Sequence, residues 1–208
     1  MGHKLFSPEY WFFDFVKVTA AIPGLIWLRP KRIWESPAAR ERIRGGALIA
    51  SNHQSHLDPV YLQFAVGYRR QRFVCMKEFF DTRLWGWVFS RFLCIPIDRE
   101  NVGMKSLREV TQALKEGWVV SIFPEGRISA EGTGAFKTGV ILMAAQAGCP
   151  IIPMYIRRPA RWWNRLRICI GEPVDVIALC GGRPGLGQME EISAMLREKE
   201  ERLEAMCR

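Results

Sequence analysis

Residues 47–66 read ALIASNHQSHLDPVYLQFAV and contain an apolar run, a polar loop and a second apolar stretch. Ala47–Ser51 has the length and character of a buried strand, and residues 58–66 have the spacing of a helix that starts at an acidic residue. A strand that leads through a polar loop into a helix is typical of an α/β fold. The loop is the first candidate for a functional site, because strand-end loops of such sheets commonly hold the ligand.

The same alternation of strand and helix continues through the chain. The apolar patterns predict strands at residues 72–76, 94–97, 118–123, 151–156 and 166–170, and helices at residues 84–92, 104–116, 138–147 and 188–206. The length of 208 residues suits one such domain. We therefore predict a single α/β domain at residues 36–208, with a mostly parallel or mixed sheet flanked by helices. Residues 1–35 are predicted to be an N-terminal helical segment that associates with a membrane.

That N-terminal segment includes an apolar stretch, YWFFDFVKVTAAIPGLIWL at residues 10–28. Its length would allow a membrane span. However, Asp14 and Lys17 lie inside it, and Pro23-Gly24 interrupts it, so each half is too short to cross a bilayer. We therefore predict a kinked helical hairpin in the membrane interface, with the basic residues 29–32 among the lipid headgroups. A core helix and a true transmembrane anchor are the alternatives.

The charge of the chain predicts an anionic partner. Thirty Lys and Arg stand against 21 Asp and Glu, for a formal net charge of +9. The eight Trp favour a membrane surface, because Trp prefers sites that are half apolar and half wet. Residues 157–167, RRPARWWNRLR, combine five Arg with two adjacent Trp, and we assign them to the anionic membrane surface. We predict no nucleic-acid partner, since aromatic and basic residues do not alternate along a strand platform.

The cysteines predict a reducing compartment. No C-x-x-C pair occurs, and most of the six lie in or beside apolar runs. We expect buried free thiols, and hence a monotopic or peripheral protein on the cytoplasmic face of the membrane. The six residues are Cys75, Cys94, Cys149, Cys169, Cys180 and Cys207.

The loop at residues 52–58 contains two of the three histidines. If His53 lies in the loop and Asp58 begins the helix, the carboxylate can hold one ring nitrogen and leave the other free as a base. Ser55 can satisfy a nearby backbone or side-chain group. The alternative is a metal site made by His53, His56 and Asp58 in a metal-dependent hydrolase, although its spacing differs from the H-E-x-x-H of zinc proteases.

Three further segments with candidate residues follow predicted strands or lie within them. Arg99 follows an apolar strand and suits a bidentate grip on phosphate. Gly126 permits close backbone approach in a Pro-Glu-Gly turn, and Glu125 and Arg127 should project into the same crevice. Pro153 lies inside an apolar strand, which predicts an edge strand or a bulge.

In this order, the four segments resemble the four sequence blocks of the glycerolipid acyltransferase family. The resemblance covers about residues 48–156. The third block departs from the usual spelling F-P-E-G-T-R-S, because Arg follows Gly directly, a spelling also found in members that acylate other lysophospholipids. The matched residues are Asn52, His53, Ser55 and Asp58 in N-H-x-S-x-x-D, then Arg99, then Phe123, Pro124, Glu125 and Gly126 in F-P-E-G, and finally Pro153.

The resemblance implies an enzyme of phospholipid biosynthesis that transfers a fatty acyl group from acyl-CoA or acyl-carrier protein to a lysophospholipid hydroxyl. The expected acceptor is 1-acylglycerol-3-phosphate, which gives phosphatidate, and other lysophospholipids are the alternative. Neither a metal nor a cofactor is expected. A non-catalytic protein that binds anionic lipids and keeps the motifs as scaffold is the remaining alternative.

The same resemblance implies roles for the matched residues. His53 is the expected general base, and Asp58 orients its ring. Arg99 and Arg127 are expected to hold the acceptor phosphate, and Glu125 to help fix the acceptor. Backbone N–H groups near Gly126 are candidates for stabilising the oxyanion.

Overall fold

A mixed β-sheet with helices on both faces forms the protein, as the strand and helix pattern predicted. The computed structural model describes residues 10–98, 104–124, 138–161, 163–182 and 184–208, and within them it shows seven strands and seven α-helices. The strands are β1 Lys31–Trp34, β2 Ala47–Ser51, β3 Gln71–Met76, β4 Ile95–Ile97, β5 Val119–Ile122, β6 Ile151–Arg157 and β7 Arg167–Ile170. The helices are α1 Trp11–Leu28, α2 Asp58–Ala65, α3 Arg83–Arg91, α4 Met104–Lys115, α5 Thr138–Ala147, α6 Val176–Cys180 and α7 Leu186–Met206.

The strand order in the sheet is β1-β7-β6-β2-β5-β3-β4. Neighbouring strands run parallel except for β6 and β7, which are antiparallel. Successive residues of β2 point to opposite faces, so Leu48 packs with α4, α5 and α7, while Ile49 packs with α2. Both faces are therefore covered by helices, which explains why the central strands are apolar throughout.

Two elements carry no clear signal in the sequence. The four residues of β1, KRIW, read as a basic stretch beside the membrane, but they form an edge strand that pairs with β7. Strand β1 therefore places part of the predicted N-terminal segment in the sheet of the main domain. The five-residue helix α6 is the other missed element.

The predicted hairpin at residues 10–28 is wrong, because α1 is one helix that runs unbroken through Pro23. The neighbouring Gly24 explains why a Pro-Gly pair occurs there. A Cβ atom on Gly24 would lie 2.5 Å from the ring of Phe64 in α2, so any larger residue would force that ring to move. The pair therefore serves helix packing and not a turn.

The charged residues inside α1 face the protein. The Asp14 carboxylate accepts two hydrogen bonds from the Arg70 guanidinium, at 2.9 and 2.7 Å, and both side chains are buried. Lys17 donates to the backbone carbonyl of Arg69 at 2.9 Å. These contacts fix one face of α1 to the segment that precedes β3, and they leave the apolar residues of its opposite face exposed.

Pro153 does not lie in an edge strand, because β6 is hydrogen-bonded to β2 on one side and β7 on the other. The bulge alternative fits better. Met154 pairs with Ile170, whereas Ile151 bridges to Val174, so three residues of the partner segment face two residues of β6 at the proline. The missing N–H of proline is thus accommodated where the ladder changes register.

The expectation of six free thiols is wrong for one pair. Cys169 in β7 and Cys207 just after α7 form a disulfide, and their Cα atoms lie 6.0 Å apart, within the usual range. No local pattern indicates this pairing, because the two residues meet only when α7 packs on the sheet. The remaining four cysteines are free thiols; Cys149 is buried, and the other three are partly exposed.

Candidate active site

The predicted site lies along one edge of the sheet. Strands β2, β5 and β6 are parallel, so their carboxyl ends reach the same edge. The polar loop with His53 follows β2 there, and Phe123 follows β5. The edge at which ligands commonly bind in open α/β sheets therefore carries the first sequence block and the described start of the third.

The side chain of Asn52 forms the last sheet-like contact of β2 before the loop. Its side-chain amide donates to the carbonyl of Ile156 at 3.0 Å and accepts from the N–H of Ile156 at 2.7 Å. The amide thus takes the part of a strand backbone and extends the pairing of β2 with β6 by one more position. The main chain is then free to leave the sheet at His53 while β6 stays satisfied.

Asp58 holds the loop and the histidine together. Its Oδ2 atom accepts from the backbone N–H groups of Gln54 and Ser55, at 2.6 and 2.7 Å, and lies 3.1 Å from Nδ1 of His53. Asp58 is completely buried at the first residue of α2, where the helix dipole favours a negative charge. With Nδ1 bonded to the carboxylate, Nε2 of His53 is left to act as a base.

Ser55 has a local role in the same loop. Its hydroxyl accepts from the backbone N–H of Leu57 at 3.2 Å, and its carbonyl accepts from the N–H of Asp58. These bonds form the tight turn that brings Asp58 back toward His53, five residues earlier. The structure therefore brings together two residues that a continuous helix would have kept apart.

Phe123 packs directly on the histidine. The two rings are stacked, with centroids 4.2 Å apart and an angle of 18° between their planes. The contact restricts rotation of the imidazole and shields one of its faces from water. Pro124 lines the same cavity as His53, whereas Pro153 lies within β6, where its ring faces Gly171.

A large apolar cavity extends from the histidine. Its volume is about 1230 Å³, enough for a long hydrocarbon chain, and helices α1, α2, α3 and α5 contribute to its walls. Along these walls the described side chains are mostly aliphatic and aromatic, including Phe13, Val16, Phe64, Phe73, Phe89 and Met143. A hydrogen-bonded His–Asp pair at one wall of an apolar cavity suits chemistry on the polar end of a lipid.

The metal alternative gains no support from the geometry. Within the part of the chain that the structure describes, no group of three or more His, Cys, Asp or Glu side chains is arranged to hold a metal ion. His56 is exposed and does not join His53 and Asp58. The loop is thus built around a hydrogen-bonded pair.

Four predicted site residues, Arg99, Glu125, Gly126 and Arg127, lie outside the described residues. Their roles remain predictions. Asp98, which directly follows β4, forms an ion pair with Lys77, with Nζ and Oδ2 2.5 Å apart.

Tyr155 is a contact of the loop that the sequence did not indicate. Gln54 donates to its hydroxyl at 3.4 Å, and Tyr155 itself is buried in β6. Burial, together with the charge of Glu204 in α7, raises the pKa of Tyr155 to about 12, so the hydroxyl stays protonated at neutral pH. No local sequence signal marks this residue, because it looks like one more apolar strand position.

A sequence profile described as Acyltransferase matches residues 35–157 of the chain, which include the loop, the stacked Phe123 and all of β6. The chain belongs to the acyltransferase family. The resemblance found in the four sequence blocks is thereby confirmed.

Named relatives of this acyltransferase share one description. This chain is 25% identical over 169 residues to "1-acyl-sn-glycerol-3-phosphate acyltransferase" of Bacillus subtilis, and the match covers 77% of this chain and 84% of the relative. It is 34% identical over 116 residues to a "Probable 1-acyl-sn-glycerol-3-phosphate acyltransferase" of Mycoplasma pneumoniae. That match covers 52% of this chain and only 43% of the Mycoplasma protein.

A solved structure supports the fold. The 1-acyl-sn-glycerophosphate (LPA) acyltransferase PlsC of Thermotoga maritima superposes with a TM-score of 0.65, over 95% of this chain and 80% of that one. The two sequences are 20% identical, so the likeness concerns the arrangement of strands and helices.

Proposed function

We propose that this acyltransferase moves a fatty acyl group from an acyl thioester to the free hydroxyl of 1-acylglycerol-3-phosphate, which gives phosphatidate. The observation that carries the proposal is the His53–Asp58 pair at the wall of a long apolar cavity. The names of the Bacillus and Mycoplasma relatives support the choice of acceptor.

The reaction follows from the geometry of the pair. A lipid hydroxyl has a pKa far above neutrality, so Nε2 of His53 takes its proton as the oxygen attacks the thioester carbonyl. The carboxylate of Asp58 stabilises the imidazolium that forms. The tetrahedral intermediate then collapses, the C–S bond breaks, and Nε2 returns the proton to the leaving thiolate. An ester and a free thiol result, without a covalent acyl-enzyme.

The remaining assignments extend this mechanism. Arg99 and Arg127 are proposed to bind the acceptor phosphate, since Arg binds phosphate in a bidentate manner. Glu125 is proposed to help fix the acceptor, and backbone N–H groups near Gly126 to stabilise the oxyanion. The donor is acyl-CoA or acyl-carrier protein, and no resident cofactor or metal is required.

An acceptor panel tests the proposal. The purified protein is assayed with one acyl-CoA and with lysophosphatidate, lysophosphatidylcholine or lysophosphatidylethanolamine, in the presence and absence of a chelator. We expect kcat/KM for lysophosphatidate to exceed the others by about tenfold or more, because only a phosphomonoester leaves its oxygens free for two arginines. A higher kcat/KM for another lysophospholipid would show that lysophosphatidate is not the preferred acceptor. Loss of activity on chelation would favour a metal-dependent enzyme.

We also propose that the protein works at a membrane surface, with α1 lying in the interface. By length and composition α1 could cross a membrane, and only 11% of it is buried. Its docked face holds Asp14, whereas large apolar side chains cover the opposite face, including Trp11, Phe15, Ile22, Ile26 and Trp27. The ion pair with Arg70 supports an in-plane helix, because a spanning helix would have to leave this contact. A position on the cytoplasmic side remains a prediction, which protease protection in intact cells would test.

Membrane contact through α1 is tested by charge insertion. Ile22→Glu and Ile26→Glu should each weaken binding to vesicles of equal parts phosphatidylglycerol and phosphatidylcholine by about tenfold, because each removes an apolar side chain from the lipid. Flotation of the protein with the vesicles measures the effect. Leu186→Glu is the matched control, since Leu186 is 78% exposed on α7, which packs on the other face of the sheet from α2. Equal loss in the control variant would argue against a specific role of α1.

A further inference from the structure

We propose that the basic connection between β6 and β7 binds the phosphate of the phosphopantetheine arm that acyl-CoA and acyl-carrier protein share. We call it the arginine surface, made by Arg29, Arg158, Arg161 and Arg165 with Trp163. The inference rests on the proposed acyl transfer, and it gives this surface a ligand other than the membrane predicted from sequence.

The topology places the arginine surface at the catalytic edge of the sheet. Arg157 at the end of β6 pairs with Arg167 at the start of β7, which pairs with Lys31 at the start of β1. Strand β6 is also bonded to Asn52, the residue before His53, through Ile156. The connection that begins at residue 158 therefore leaves the sheet beside the catalytic loop.

The surface concentrates positive charge. Arg158, Arg161 and Arg165 are exposed, and none of them forms an ion pair with a described acidic side chain. The cluster also has fixed geometry, since Arg29 donates to the carbonyl of Trp163, and Arg165 donates to the carbonyl of Arg29 at 3.0 Å. Positive charges held close together repel one another, and a bound anion relieves this repulsion.

Arg158 lies near helix α2. Burial and the charge of Asp58 raise the pKa of the Tyr61 hydroxyl, and the charge of Arg158 partly opposes this rise. Tyr61 lies one turn after Asp58 in α2. The guanidinium of Arg158 is therefore within electrostatic range of the helix that carries the catalytic carboxylate.

The cavity extends to the segment that carries Arg29. Pro30 and Arg32 line the cavity that His53 lines, and Pro30 directly follows Arg29 of the arginine surface. Lys17, another cation of the cavity wall, already donates to the carbonyl of Arg69. A donor with its thioester at His53 can thus extend toward Arg32 and present its phosphate to the arginine surface.

The ligand chemistry fits the side chains. Both donors join the thioester to a phosphate through pantetheine, and Arg forms strong paired hydrogen bonds with phosphate oxygens. The ring of Trp163 is 49% exposed, with the guanidinium of Arg161 5.2 Å from its centroid. Coenzyme A could add a stacking contact between adenine and this ring, because indole faces stack on bases.

The test uses Arg158→Gln and Arg161→Gln, because neither side chain makes a described hydrogen bond. Each change should raise KM for acyl-CoA and for acyl-carrier protein by about tenfold, since a charge-assisted bond to phosphate is lost. The kcat value, KM for lysophosphatidate and binding to the phosphatidylglycerol–phosphatidylcholine vesicles should stay unchanged. Arg197→Gln on α7 is the matched control, an exposed arginine on the other face of the sheet from α2.

The outcomes separate the possible ligands. A rise for both donors that acyl-dephospho-CoA also shows supports the shared phosphate. A rise for acyl-CoA that acyl-dephospho-CoA does not show would overturn it in favour of the adenosine 3′-phosphate. A rise for acyl-carrier protein alone would overturn the phosphate assignment in favour of contact with that acidic protein. Unchanged KM values with weaker vesicle binding would overturn the proposal and assign the arginine surface to membrane binding. Direct calorimetric titration with coenzyme A decides the case even if the protein transfers no acyl group to lysophosphatidate.

Discussion

Replacement of His53 by alanine is expected to reduce the rate of acyl transfer by about 10²–10⁴-fold, the usual contribution of a positioned general base. The hydroxyl would have to attack without a group to take its proton, and the buried carboxylate of Asp58 would lose one of its three partners, the imidazole. The measurement is kcat at saturating donor and acceptor, with thermal unfolding and circular dichroism to show that the fold is intact. The stacking partner Phe123 and the two backbone bonds to Asp58 stay in place in this variant.

The control for this experiment is His56→Ala in the same loop. His56 is exposed, so its loss should leave kcat within about twofold. If His53 and His56 were both metal ligands, both alanine variants would lose activity. Substantial turnover by a folded His53→Ala protein would exclude the histidine as the base.

The second large effect concerns the ion pair that docks α1. Asp14→Leu is expected to lower the free energy of unfolding by about 3–5 kcal/mol, because it leaves the guanidinium of Arg70 buried without its carboxylate. For a chain of this size that corresponds to a fall in Tm of about 6–20 °C. The double variant Asp14→Leu with Arg70→Met should recover most of the loss, since two apolar side chains can fill the same space without a buried charge.

Differential scanning fluorimetry in the same detergent for all variants measures these shifts. Arg208→Gln serves as the control, because it breaks an exposed ion pair with Glu204 and should change stability by less than about 0.5 kcal/mol. Equal instability of the single and double variants would mean that Asp14 stabilises α1 by some means other than its charge.

The fold could be predicted where short-range pattern and long-range packing agree. Strand β2 and helix α5 were predicted with their observed bounds, because their apolar residues repeat with the period of the element that they form. Strand β1 was missed because four residues with two positive charges have no such period, and only pairing with β7 makes them a strand. The hairpin was wrongly predicted at Pro23-Gly24 because the reason for that pair, the ring of Phe64, lies in another helix.

Some contacts of the candidate site could also be predicted from the sequence, and others could not. The pairing of His53 with Asp58 could be predicted because a loop followed by a helix start is enough to bring them together. The stacking of Phe123 on His53 could not, since it depends on β2 and β5 being neighbours in the sheet. The contact between Gln54 and Tyr155 depends likewise on the neighbouring strand β6, which is far away in sequence.

The place of β1 in the sheet has a consequence for the order of assembly during translation. Strand β1 leaves the ribosome long before β7, the strand with which it pairs. Helix α1 can dock much sooner, since Arg70 follows soon after α2. In the nascent chain α1 can therefore pack against the segment before β3 while β1 still lacks its partner strand. Pairing between strands that are far apart in sequence is intrinsically slow.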